Sequence, residues 1–165
     1  MPAIYRAPMR ARDRDLPPGA GAEHGLARGL VGIGYGLPRP PLALEEAVAA
    51  AAAVHGDKAG RMLRAFASVP DGSFVWTRAA DGGFRLGRIA GPWRYDDSPA
   101  ARAVGVVHMR PATWLERTFG EDDVPAAVAA TFARGGRNFQ RARDERAEAE
   151  TTALWDRSGS YAPRR

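Results

Sequence analysis

The sequence predicts an α+β domain: a small, mostly antiparallel, partly closed β-barrel with inserted and flanking helices. Two observations carry that expectation. Three short apolar runs, Phe74–Arg78, Phe84–Ile89 and Val104–Arg110, are separated by turn signals. Ahead of them, residues 44 to 68 are Ala-rich with helical spacing. At 165 residues the chain can bury one core. The expected organisation is a single domain over 1–157 and a frayed tail over 158–165.

Taken in order, Ala3–Met9 alternates and reads as a first strand. Residues 10–21 are charged, then Pro/Gly-rich, and read as a loop. Glu23–Arg28 forms a short helix that Gly29 ends at its C′ position. Leu30–Tyr35, LVGIGY, is a buried strand whose two glycines signal close approach of a backbone or a ligand. A Pro-rich break follows. Leu44–Val54 is helical by propensity. Gly56 interrupts it, and Asp57 can cap a second helix reaching Ser68. Met62, Leu63, Phe66 and Val69 mark that helix's core face.

Pro70-Asp71-Gly72 is a turn into the strand Ser73–Arg78. Asp81-Gly82-Gly83 is a hairpin turn into Phe84–Ile89. Gly91-Pro92 ends that strand, and residues 96–99 form another turn. Val104–Arg110 is the next strand, closed by Pro111. Asp122 or Asp123 caps a helix over Val124–Phe132, and Phe139–Leu154 is helical in outline.

The charge points to partners. The formal net charge is +5, and of 24 basic residues only Lys58 is lysine. Two causes are compatible: a GC-rich genome that favours arginine codons, and phosphate binding by guanidinium forks. There is no cysteine, which excludes disulfides and thiolate metal sites and makes the cytoplasm the expected location. No apolar run approaches the ~20 residues of a membrane span. The N-terminus has no long apolar core and does not read as a signal peptide. His24, His55 and His108 are far apart, no hydrolase or P-loop motif appears, and neither catalysis, metal nor cofactor is expected.

The chemistry-bearing residues are aromatic. Alternation puts Phe74 and Trp76 on one face, Val75 and Thr77 on the other. Phe74, Phe84 and Trp114 are expected in the core. Trp93 and Tyr95, past Gly91-Pro92, are expected at a rim, joined by Trp76 and by Tyr35 from a distant strand. Such rings can stack a flat base, at about 1–3 kcal/mol per contact. Asp96 and Ser98 can meet the base edge, or can simply form an Asx turn; both readings stand. His108 and Arg110 can hold a phosphate or a barrel seam. Arg10, Arg12, Arg94, Arg137 and Arg141 are the further phosphate-binding candidates.

The succession LVGIGYGL, DGSFVWTR, FRLGRIAGPWRYDD and HMRPATW resembles the EVE/YTH-like branch of the PUA-like superfamily. Within it the resemblance is to the modified-base-reading domains of modification-dependent restriction systems. It spans Ala3–Phe119, with matches at Tyr35, Trp76, Trp93, Tyr95, Asp96, His108, Arg110 and Trp114. It implies a PUA-like barrel that reads a modified or flipped DNA base in an aromatic pocket, without catalysis, in phage defence or restriction. Any cleavage would then need a separate nuclease or helicase subunit. Two departures stand out. Tyr35 replaces the family's tryptophan, and Asp71-Gly72-Ser73 replaces its Gly-Asp pair. An RNA-binding domain of the same fold, or a nucleotide or small-molecule sensor, are the alternatives.

Overall fold

The period-two pattern of the central hairpin becomes a sheet buried on both faces. The computed structural model describes residues 2–10, 16–136 and 138–159. Strands β3 (Phe74–Arg78) and β4 (Phe84–Ile89) pair antiparallel, with Trp76 opposite Leu86 and Phe74 opposite Arg88. Phe74, Trp76, Phe84 and Leu86 face one core, with Phe119, Val128 and Leu154. Val75 and Ile89 face the other, with Leu63 and Phe66. Burying each such side chain contributes about 1.5–3 kcal/mol.

The remaining strands extend this hairpin. They are β1 (Ile4–Arg6), β2 (Leu30–Ile33), β5 (Arg94–Tyr95), β6 (His108–Trp114) and β7 (Gln140–Ala142). The order is β2-β6-β4-β3-β1-β7, with β5 alongside β6. Only β1 and β3 run parallel; the other pairs are antiparallel. The result is a mixed α+β fold on a curled, half-barrel sheet. Helices α2 (Leu44–His55) and α3 (Asp57–Ser68) cover one face; α5 (Ala126–Ala133) and α6 (Glu145–Gly159) cover the other. Among the described residues no helix is long and apolar enough to cross a membrane.

Helix α1 (Ala20–Arg28) ends as expected at Gly29, whose φ of 66° is the left-handed conformation of a C′ glycine. The close approach expected beside β2 is also present. A Cβ at Gly32 would lie 2.4 Å from Val106 Cγ1 and 2.6 Å from the His108 carbonyl oxygen, so the Val106 side chain and the β6 backbone fill that space.

Several expectations need correction. Val104–Arg110 is not one strand. Its start completes α4 (Pro99–Val104), and β6 begins at His108. Pro111 does not end β6. Its carbonyl accepts from Ala90 N–H, and the one reciprocal bond its missing N–H forgoes falls just past Ile89, where β4 has ended. Phe139–Leu154 is not a single helix. Gln140–Ala142 pairs with the otherwise open edge of β1, and α6 starts after Asp144, whose carboxylate caps Ala147 N–H at 2.8 Å. That helix includes Ser158, placed in the tail by the sequence reading. Asp57 is the first residue of α3, not its cap, which is Gly56. Residues 121–123 make a 3₁₀ turn, and α5 begins only after Pro125.

Candidate functional site: a pocket walled by Tyr35

The residues after β2 cannot continue the sheet, because Tyr35 has φ 71°. A non-glycine residue in that region costs about 1–3 kcal/mol and persists only where its surroundings over-determine it. Here three consecutive residues are anchored, each by a ring from a different element. His108 of β6 meets the Tyr35 carbonyl at 3.0 Å through Nε2. His55, ending α2, meets the Gly36 carbonyl at 2.7 Å through Nε2. Leu37 N–H donates to the Tyr95 hydroxyl at 3.0 Å.

His108 is the hub. It is fully buried. Trp93 Nε1–H donates to its Nδ1 at 3.2 Å, so Nδ1 must be the bare nitrogen and Nε2 must carry the proton given to Tyr35. The Trp93 ring stacks on the imidazole at 6.0 Å between centroids, and Tyr95 meets it edge-on at 5.1 Å. Burial pushes the imidazole down to about 4; the Tyr35 carbonyl works the other way, and His55 adds to the fall. A second proton would also break the Trp93 bond.

A pH dependence follows. The unfolded imidazole, with its ordinary value of 6.5, takes a proton before the folded one does. Stability from this residue is complete above that value and falls as pH drops through about 4, a loss of about 3 kcal/mol. Denaturant melts from pH 7 to pH 4 should show it as a difference between the intact protein and His108→Gln, whose curve lacks this component.

Tyr35 forms part of the wall of a pocket of about 690 Å³. His55, Met62 and Phe139 share the wall; Arg10, Arg102 and Asn138 also line it. No carboxylate lines it among the described residues. Arg102 Nη1 lies 3.8 Å from Asp97, an exposed pair of little energetic weight.

The sequence-predicted site is therefore only partly brought together. Tyr35 and Arg10 line the pocket. Trp93 and Tyr95 do not; they hold the Tyr35–Leu37 turn, Trp93 through His108 and Tyr95 through Leu37 N–H. Trp76 is core, not rim. It is fully buried, meets Phe119 edge-on and donates Nε1–H to Thr151 Oγ1 at 3.2 Å. His108 and Arg110 are buried, and their hydrogen bonds go to protein partners that hold the seam. Asp96 and Ser98 make the Asx turn, with Ser98 N–H on Asp96 Oδ1 at 2.9 Å, and Ser98 Oγ caps α4. Burial opposes ionisation of Asp96, but the Ser98 hydrogen bonds, with Arg94 and His24, hold the carboxyl below its usual range.

Arg94 and Arg141 are surface residues outside the pocket lining, and Arg141 lies 3.7 Å from Glu148. Arg12 and Arg137 lie outside the described residues. The expected core assignments hold for Phe74 and Phe84, which are buried. Trp114 is half-buried, with its indole N–H on the Leu30 carbonyl.

Nothing in the sequence marks His55, Arg102 and Asn138 as residues of one site. They come from α2, α4 and the segment before β7, so no short motif could have joined them. Neither a family model, nor a curated protein, nor a solved structure matches the chain.

Proposed function

We propose that the protein is a non-enzymatic reader of a modified or extruded base in DNA, and that its curled sheet is a PUA-like barrel. The observation that carries this reading is the pocket itself: an aromatic and imidazole wall, two arginines and no carboxylate among its described lining residues. A base stacked on Tyr35 gains about 1–3 kcal/mol. Extruding that base from a duplex costs a few kcal/mol, so the pocket must return the difference through contacts with the base edge. In this reading the Asn138 amide, on the pocket lining, meets the base edge. Arg10 and Arg102 then serve the flanking phosphates. A volume of about 690 Å³ is ample for a modified base with its sugar.

The test is fluorescence anisotropy on matched oligonucleotides containing cytosine, 5-methylcytosine, adenine or N6-methyladenine, at one stated salt concentration. One modified oligonucleotide is expected to bind at least about tenfold tighter than its unmodified match, a difference of about 1.4 kcal/mol. Arg10→Gln and Arg102→Gln should weaken all four alike and lower the salt slope by about 1 each. Equal, weak binding to every oligonucleotide contradicts base reading. Preference for the ribose versions moves the function to RNA.

A further inference from the structure

Among the described residues, two that are not glycine have positive φ: Tyr35 at 71° and Met9 at 50°. Both line the pocket of about 690 Å³. The Tyr35 turn is anchored by three rings, and the Met9 turn has a different support. As β1 ends, Ala7 N–H donates to the Trp76 carbonyl at 2.8 Å, and Pro8 has no N–H with which to continue the ladder. Met9 then packs, buried, against α1. Gly21 and Gly25 lie four residues apart, on one face of that helix. A Cβ at Gly21 would run into the Met9 carbonyl oxygen, and one at Gly25 would lie 2.8 Å from Met9 Sδ. One glycine seats the backbone of Met9 and the other its side chain.

Filling the space beside α1 needs an apolar side chain; it does not need an unfavourable backbone. What the left-handed residue adds is a change of chain direction immediately before Arg10. Arg10 is exposed and lines the pocket, one residue beyond the clamp. A backbone outlier held by its surroundings beside a binding wall is a means of presenting a side chain ready for its ligand. We infer that Met9 is a positioning residue: seated on Gly21 and Gly25, its turn aims Arg10 into the pocket and sets where an anionic group of the ligand sits relative to the Tyr35 wall. The inference rests on the base-reading proposal for its ligand and gives Met9, Gly21 and Gly25 a part in binding it.

The experiment measures the salt dependence of binding to the four oligonucleotides for the intact protein, Met9→Val, Met9→Gly and Arg10→Gln. Both Met9 variants lose the side chain that packs on Gly25. They differ in backbone: valine resists a positive φ and glycine accepts it. Met9→Val should weaken all four oligonucleotides and lower the salt slope by about 1, as Arg10→Gln does. Adding Arg10→Gln to Met9→Val should lower it no further. Met9→Gly should recover most of the slope. Gly21→Ala pushes on the Met9 carbonyl and leaves the Met9 and Arg10 side chains unchanged; it should repeat the Met9→Val result, and it decides the matter if the valine variant does not fold. A full slope in Met9→Val or Gly21→Ala, or equal losses in Met9→Val and Met9→Gly, overturns the inference while base reading stands. Equal affinities for the four oligonucleotides, with the slopes as expected, overturn base reading alone. No salt-dependent binding by the intact protein overturns both.

Discussion

Replacing His108 with alanine is expected to destabilise the fold by about 4 kcal/mol, measured by denaturant unfolding. The sum has two parts. Removing a fully buried imidazole leaves a cavity between Trp93 and Tyr95. It also strands the Trp93 indole N–H and the Tyr35 carbonyl, at about 1–3 kcal/mol each where water cannot replace the partner. His108→Gln separates the two roles. Its terminal amide can still donate to the Tyr35 carbonyl, but it offers Trp93 no equivalent acceptor. The expected loss is about half that of alanine, and oligonucleotide discrimination should survive. If alanine and glutamine variants unfold alike, the Tyr35 bond contributes nothing and the hub has been misread.

Replacing Arg110 with methionine is expected to cost about 3 kcal/mol or more, from buried carbonyls left without a donor at about 1–3 kcal/mol each. The buried guanidinium closes the seam between α3, the β4–β5 break and β6. Nε donates to the Gly91 carbonyl at 2.9 Å, Nη1 to the carbonyls of Phe66 and Val69, and Nη2 to Asp71 Oδ1 at 2.7 Å. Methionine fills the volume but leaves three carbonyls without their donor. Lysine should rescue little, because a single ammonium cannot reach partners spread around a planar fork. Burial depresses the guanidinium, and Asp71 opposes that shift. Asp71 itself is 64 % exposed, so Asp71→Asn should cost less than about 1 kcal/mol. A large loss in Asp71→Asn with little in Arg110→Met would reverse this assignment.

The β3–β4 hairpin was legible because alternation, the Asp-Gly-Gly turn and local pairing all lie within sixteen consecutive residues. The helix end at Gly29 and the break at Gly56 were legible for the same local reason. Strand β7 was hidden, because its Gln-Arg-Ala sequence favours helix and only the open edge of β1 overrides that preference. Pro111 read as a strand end because its neighbours across the sheet cannot be inferred from its own segment.

The site was half legible. The stretch from Gly91 to Asp96 holds the Tyr35–Leu37 turn in place and lies outside the pocket lining. Trp93 and Tyr95 follow a Gly-Pro break, which in isolation suggests rings aimed at a mouth. Their polar atoms decide otherwise. The indole N–H and the phenol find partners on His108 and Leu37, and the rings become the support for Tyr35. His55 and Arg102 belong to helices whose sequences carry no ligand signal, and only the tertiary fold brings them beside Tyr35.

Tyr35→Gly tests the central claim most directly, with both modified and unmodified oligonucleotides titrated at fixed salt. Glycine adopts a φ of 71° without strain, so relief of about 1–3 kcal/mol offsets the lost ring contacts, and stability should change by no more than about 1 kcal/mol. The predicted result is a folded variant that binds both oligonucleotides weakly and alike, with the salt dependence intact. Discrimination equal to that of the intact protein would contradict the account, because the wall assigned to the base would then be unnecessary for reading it.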